Sequence, residues 1–122
     1  MVKVLFDTNI LIDYLNGVSS ASEELALYDD KAISVISWIE VMVGTNSKTE
    51  KITQDWLKSA FTIISIEEKI SYRSIGVRKM HKMKLPDAII YATAMETGRL
   101  LISRNTKDFS PKDPMVREPY KI

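Results

Sequence analysis

Short apolar, β-prone runs alternate with helical stretches along this chain, and that alternation restricts its fold more than any other feature. Val2 to Phe6 reads as a strand and leads into ILIDYLNG, where Ile10, Leu11, Tyr14 and Leu15 recur at helical spacing before Gly17. Ser22 to Asp30 suggests a second short helix, and the β-branched residues of Ala32 to Ser37 predict a second strand. Trp38 to Val43 then reads as a helix stopped by Gly44. Ile52, Trp56, Leu57 and Ala60 share one face of a helix over Lys48 to Phe61, and Thr62 to Ile66 is an almost wholly apolar run of strand length. Glu67 to Lys82 is again helical, Pro86 breaks that helix, and Asp87 starts the next one, DAIIYATAMETG. LLIS follows as a buried strand. The tail from Ser110 holds Pro111, Pro114 and Pro119 and predicts a loop, with at most a short edge strand near Tyr120.

Strands and helices in this order imply a mainly parallel sheet covered on both faces. With 122 residues, 45% of them hydrophobic and 27% charged, residues 1–122 are expected to form a single domain without repeats or linkers. There is no cysteine, which excludes disulfides, zinc–thiolate sites, iron–sulfur clusters and thiol nucleophiles. Asp7 and Asp13 interrupt the apolar N-terminal stretch, which argues against a signal peptide or a membrane span, so the expected location is the cytoplasm. A formal charge of +1 is not the broad basic footprint of a tight duplex-DNA binder, and any contact with nucleic acid is therefore local.

In an open parallel sheet the ligand site lies beyond the carboxyl ends of the strands. Four acids take that position: Asp7 after the first strand, Glu40 after the second, Asp87 at a helix start, and Asp108 beyond LLIS. Each alone has an ordinary explanation, because Asp after a strand is a common helix cap. Together they give a reason to expect a cation, since several carboxylates within a few ångströms cannot all stay ionised unless a cation neutralises them or some take up protons. An all-oxygen set suits Mg²⁺ or Mn²⁺ and not zinc.

Four blocks, FDTNILIDYL, ISVISWIEVMVG, LPDAIIYATAMETG and LLISRNTKDF, appear in an order and at a spacing that resemble PIN domains, VapC-type toxins in particular. The resemblance implies a PIN-like three-layer α/β/α sandwich with a mainly parallel central sheet of four to five strands. It carries the family's acids over to Asp7, Glu40, Asp87 and Asp108 as metal-binding and catalytic residues, Asp7 and Asp87 being the first choice as direct ligands. Thr8, Asn9 and Asn105 match its supporting polar positions. Trp38 and Pro86 depart from the usual residue types without touching the acidic set.

The activity so implied is Mg²⁺- or Mn²⁺-dependent endonucleolytic hydrolysis of single-stranded or looped RNA, leaving a 5′-phosphate and a 3′-hydroxyl. A homodimer and a cognate antitoxin, whose basic segment enters the acidic pocket, are implied in the same way. RNA-processing enzymes share the scaffold. A PIN scaffold used only for binding is expected to have lost acids from the set, and this chain keeps all four. A phospho-acceptor receiver calls for an early acidic pair, and a haloacid-dehalogenase-type phosphatase for Asp-x-Asp; Asp7 is followed by Thr8 and Asn9 instead.

The run RKMHKMK includes Arg78, Lys79, Lys82 and Lys84 and is either a solvated helix end or a guide for an RNA backbone. His81 within it reads as a surface residue. Arg104 and Lys107, flanking Asn105, are the stronger candidates for phosphate contact.

Overall fold

The computed structural model describes residues 2–122. Five strands and six helices follow one another as β1 (Lys3–Phe6), α1 (Thr8–Leu15), α2 (Ser19–Ala26), β2 (Asp30–Ser34), α3 (Val35–Val43), α4 (Glu50–Ala60), β3 (Thr62–Ile64), α5 (Glu68–His81), α6 (Leu85–Thr97), β4 (Leu100–Ile102) and β5 (Val116–Arg117). The strands lie in the order β3-β2-β1-β4-β5, and all neighbours are parallel. The chain thus builds outward from β1 in one direction and then in the other. Ligand crevices of doubly wound sheets open where the order reverses, here between the carboxyl ends of β1 and β4.

Side chains alternate across the strands, and this sorts the core into two halves. Val4, Phe6, Ile33 and Ile102 face a cluster completed by Ile10, Leu11, Leu25, Leu57 and Phe61 from α1, α2 and the α4–β3 segment. Leu5, Ala32 and Leu101 face the other, which α5, α6 and Phe109 complete. Phe6 meets the rings of Phe61 and Tyr28 edge-on, each at 6.0 Å, while on the opposite face of the sheet Tyr91 stacks on Phe109. Full burial of each such side chain contributes about 1.5–3 kcal/mol. No helix among the described residues is long and apolar enough to cross a membrane.

Beyond shifts of one or two residues at the ends of α4 and β3, four boundaries differ from the sequence reading. The second helix starts at Ser19 and ends at Ala26, because Asp30 and Lys31 join β2, where pairing with Lys3 and Val4 outweighs their polar character at the sheet rim. Val35, Ile36 and Ser37, expected in the strand, form the first turn of α3, since the Ser34 hydroxyl accepts from the Ile36 N–H at 3.1 Å and caps the helix there. Lys82 in the left-handed region (φ 55) ends α5 before Pro86, which sits instead in the first turn of α6, where it costs no hydrogen bond. The edge strand lies at Val116–Arg117 and not near Tyr120.

Two glycines give a paired test of the helical layer. Gly98 closes α6 at φ 63, and Gly76 lies inside α5; a Cβ at either would meet no atom within 4 Å. The effect of alanine is therefore purely conformational. Gly98→Ala should cost about 1 kcal/mol through left-handed strain, whereas Gly76→Ala should add about 0.5–1 kcal/mol. Urea midpoints of the two variants should move in opposite directions.

Candidate active site

Asp7 ends β1 and caps α1, so a single carboxylate serves the fold and the crevice together. Its Oδ1 accepts from the Thr8 N–H at 2.8 Å, and its Oδ2 accepts from Ser103 Oγ at 2.6 Å and Asn9 Nδ2 at 3.2 Å. Ser103, directly after β4, is saturated: its hydroxyl donates to Asp7 and accepts from Asn9 Nδ2 at 3.2 Å and the Asn105 N–H at 2.9 Å. The Asn9 Oδ1 in turn accepts from the Arg104 N–H at 3.2 Å. Beside this network, Thr8 Oγ1 lies 2.7 Å from Glu40 Oε1 and 2.9 Å from Ser37 Oγ. Thr8 has one hydroxyl proton, which serves the carboxylate, so Ser37 donates to Thr8.

Asp87 stands in the first turn of α6. Asp108 is held by Asn105 on the turn after β4, through Asn105 Nδ2 to Asp108 Oδ2 at 3.0 Å and the Asp108 N–H back to Asn105 Oδ1 at 3.3 Å. Glu40, Lys84, Pro86, Asp87, Asn105, Lys107 and Asp108 line a cleft of about 400 Å³. Asp7 lies deeper, 3% exposed, within electrostatic reach of the other three acids.

Asp7, Asp87 and Asp108 do not share one protonation behaviour. Burial pushes the pKa of Asp87 up, and hydrogen bonding to Asp108 and the charges of Asp7, Asp108 and Glu40 push it further, to about 7. Burial also raises that of Asp7, with Glu40 and Asp108 adding to it, against hydrogen bonds from Ser103 and Thr8 that lower it. Asp108 goes the other way: the Asn105 hydrogen bond, assisted by Asp87, Lys107 and Lys84, holds it below the usual carboxylate range despite some burial.

The six cations considered from sequence divide sharply. Lys84 and Lys107 line the cleft. Arg78, Lys79 and Lys82 are exposed near the end of α5 and do not line it. Arg104, expected at a phosphate, is committed elsewhere: its guanidinium forks onto Asp13, with Nε to Oδ2 at 2.6 Å and Nη2 to Oδ1 at 2.9 Å. His81 packs edge-on to Tyr91 at 6.5 Å, away from the acids. Sequence reasoning passed over Ser103 and Ser37. The signal for Ser103 was a polar residue ending an apolar strand at the carboxyl edge, and for Ser37 a hydroxyl one helical turn before Glu40.

A family model described as PIN domain matches residues 4–113, a span that takes in every acid of the cleft. The chain belongs to the PIN-domain family. Two curated relatives carry the name Ribonuclease VapC1. The one from Rickettsia felis is 30% identical over 119 residues, covering 87% of each chain. The one from Methanocaldococcus jannaschii is 31% identical over 115 residues, covering 88% of this chain and 79% of its own. Among solved structures, a chain of a toxin–antitoxin complex from Klebsiella pneumoniae superimposes with a TM-score of 0.92 at 48% identity, covering 98% of this chain and 100% of that one. FitAcB from Neisseria gonorrhoeae gives 0.82 at 21% identity over 98% and 99%, a likeness of fold. The parallel five-stranded sheet between helical layers is the α/β/α arrangement of PIN domains.

Proposed function

We propose that this PIN-domain chain is the toxin of a toxin–antitoxin pair, a Mg²⁺- or Mn²⁺-dependent endoribonuclease acting on single-stranded or looped RNA. The observation that carries this reading is the convergence of Asp7, Glu40, Asp87 and Asp108 from four separate segments on one crevice, strongly enough to bring the pKa of Asp87 to about 7. Relatives named as ribonucleases, and a toxin–antitoxin complex at 48% identity, support the substrate and the partner. Ile12, Leu15, Ile39 and Val43 stay exposed on α1 and α3, apolar surface of the kind that an antitoxin or a second copy of the chain would cover.

The donor set fits a hard cation, being carboxylate oxygen throughout. Among the described residues no three His, Cys, Asp or Glu side chains form a ready-made cage, and Mg²⁺ does not require one, since it keeps several waters and takes one or two carboxylates. Asp7 and Asp87 would hold it, with Asp108, kept ionised by Asn105, adding negative charge. When bound, the ion supplies an acidified water and offsets charge building on the phosphate.

The protein's own groups do the rest. Ser103, Asn9 and the Thr8 N–H hold the Asp7 carboxylate in one orientation. Glu40, exposed and tethered by the Thr8 hydroxyl, would take a proton from the attacking water. Lys84 and Lys107 offer ammonium groups to backbone phosphates entering the cleft. As the water oxygen bonds to phosphorus, the bond from phosphorus to the 3′ oxygen breaks and that oxygen takes up a proton from solvent water, leaving a 5′-phosphate and a 3′-hydroxyl.

Purified protein given a mixed pool of single-stranded RNA is expected to cut it with added Mg²⁺ or Mn²⁺ and to stop once chelator exceeds the metal. Cleavage undiminished in excess chelator would sink the metal-dependent reading.

A further inference from the structure

Apart from Asp7, two acids are buried among the described residues, Asp13 (5% exposed) and Glu24 (4%), and both are surrounded in the same way. Asp13 receives the guanidinium fork of Arg104 and, at 2.8 Å, the hydroxyl of Tyr120. Glu24 receives a fork from Arg117, at 2.8 and 3.1 Å, and the hydroxyl of Tyr28 at 2.8 Å. Each is a carboxylate with an arginine and a tyrosine. Such a pair adds little net stability over apolar packing, but breaking one side of it is costly.

The two networks differ in what the arginine backbone does. Arg117 belongs to β5, where the sheet ladder holds it through the Ser103 N–H donating to its carbonyl at 3.1 Å, whatever its side chain does. Arg104 lies beyond the ladder, and its N–H donates to a side chain, Asn9 Oδ1, at 3.2 Å. Only oxygen can answer an N–H donor, so this contact fixes which way the Asn9 amide points. Nδ2 then faces Asp7 Oδ2 and Ser103 Oγ, both at 3.2 Å. A continuous path therefore runs from Tyr120 in the C-terminal tail through Asp13, Arg104 and Asn9 to Asp7.

We propose that Asp13 and Tyr120 are positioning residues for the acid cluster: by clamping Arg104 they hold the Asn9 amide, and through it the Asp7 carboxylate, in the orientation that receives a divalent cation. This inference rests on the ribonuclease reading above. Asp13 hydrogen-bonds none of the four acids, and the C-terminal tail joins the network through the Tyr120 hydroxyl.

The twin network supplies a matched control. Wild type, Asp13→Asn, Tyr120→Phe and Glu24→Gln would be compared by the Asn9 side-chain amide signal in ¹⁵N NMR, by Mn²⁺ titration calorimetry, and by kcat and KM for RNA cleavage. In Asp13→Asn the Asn9 amide protons should lose their protection from exchange, the Mn²⁺ Kd should rise about 10-fold and kcat should fall by a similar factor with KM little changed. Tyr120→Phe keeps the ion pair and should move all three in the same direction by less; it carries the comparison if Asp13→Asn fails to fold. Glu24→Gln loses an equivalent pair and should match wild type in all three. Equal weakening of Mn²⁺ binding in Glu24→Gln and Asp13→Asn would overturn the proposal, as would an Asn9 amide unchanged in both Asp13→Asn and Tyr120→Phe. If wild type neither binds Mn²⁺ nor cuts RNA, the ribonuclease reading fails, and the Asn9 amide signal alone decides whether the path to Asp7 exists.

Discussion

Asp7→Asn and Asp87→Asn should each lower RNA cleavage by about three orders of magnitude, because losing a charge proposed to hold the cation would remove several kcal/mol of transition-state stabilisation. The loss should fall on kcat more than on KM, since Lys84 and Lys107, the cleft residues proposed to meet the RNA backbone, are kept in both variants. The two variants should nevertheless behave differently as folded proteins. Asp87 caps nothing, and its amide replacement keeps the shape of the first turn of α6. At Asp7, Oδ2 accepts from both Ser103 and Asn9, and an amide NH₂ in that place would leave two donors facing a third. Circular dichroism and single-turnover cleavage on the same preparations separate the effects. A folded Asp87→Asn protein that cuts RNA at the wild-type rate with Mg²⁺ present would remove Asp87 from the catalytic set.

With chelator present, Asp87→Asn should melt about 5 °C above wild type at neutral pH. The folded protein raises the pKa of Asp87 from 3.8 to about 7, so it binds a proton more tightly than the unfolded chain does. The stability this contributes is fully present below about 4 and is lost as pH rises through about 7. A shift of that size would be worth several kcal/mol for a dry group; Asp87 is partly open to solvent, which reduces the expected effect to about 1–2 kcal/mol. Asp108 is shifted downward and works in the opposite sense only in the acid range, whereas burial raises Asp7 as well, so it is the difference between wild type and Asp87→Asn across a pH series from about 5 to 7.5 that reports Asp87. Saturating Mg²⁺ should raise wild type by mass action and help the variant much less. Asp7→Asn should show little of this gain, because the donor mismatch offsets the relief of charge. Four melting curves, wild type and Asp87→Asn with chelator and with Mg²⁺, test the expectation. A variant that melts lower than wild type in chelator, with equal responses to Mg²⁺, would make Asp87 a structural residue of the helix start.

The alternation of strands and helices, and the acids beside their ends, could be read from the sequence because both are local properties. Periodicity depends on residues a few positions apart, and strands that all run parallel send every strand-end residue to the same edge. Asp7 reached that edge directly after β1 and Asp108 on the turn after β4, whereas Glu40, in the second turn of α3, and Asp87, in the first turn of α6, reached it on helices that start there. Boundaries were less legible where two local preferences competed, as at Val35–Ser37, where a cap from Ser34 outweighs β-branched propensity.

Pairing of side chains was not legible at all. Arg104 stands beside Asn105 and Asp108 in the chain and has the chemistry of a phosphate ligand, yet its partner is Asp13, 91 residues away. That choice is made only when α1 packs next to the loop after β4 and places a buried carboxylate within reach. A buried charge must be neutralised, whereas an exposed guanidinium can remain in water, so burial of Asp13 decides where Arg104 goes. Local patterning along the chain sets the layers and the edge at which the acids gather; long-range packing selects which of the neighbouring polar groups hold those acids in place and which cations stay unpaired beside the cleft.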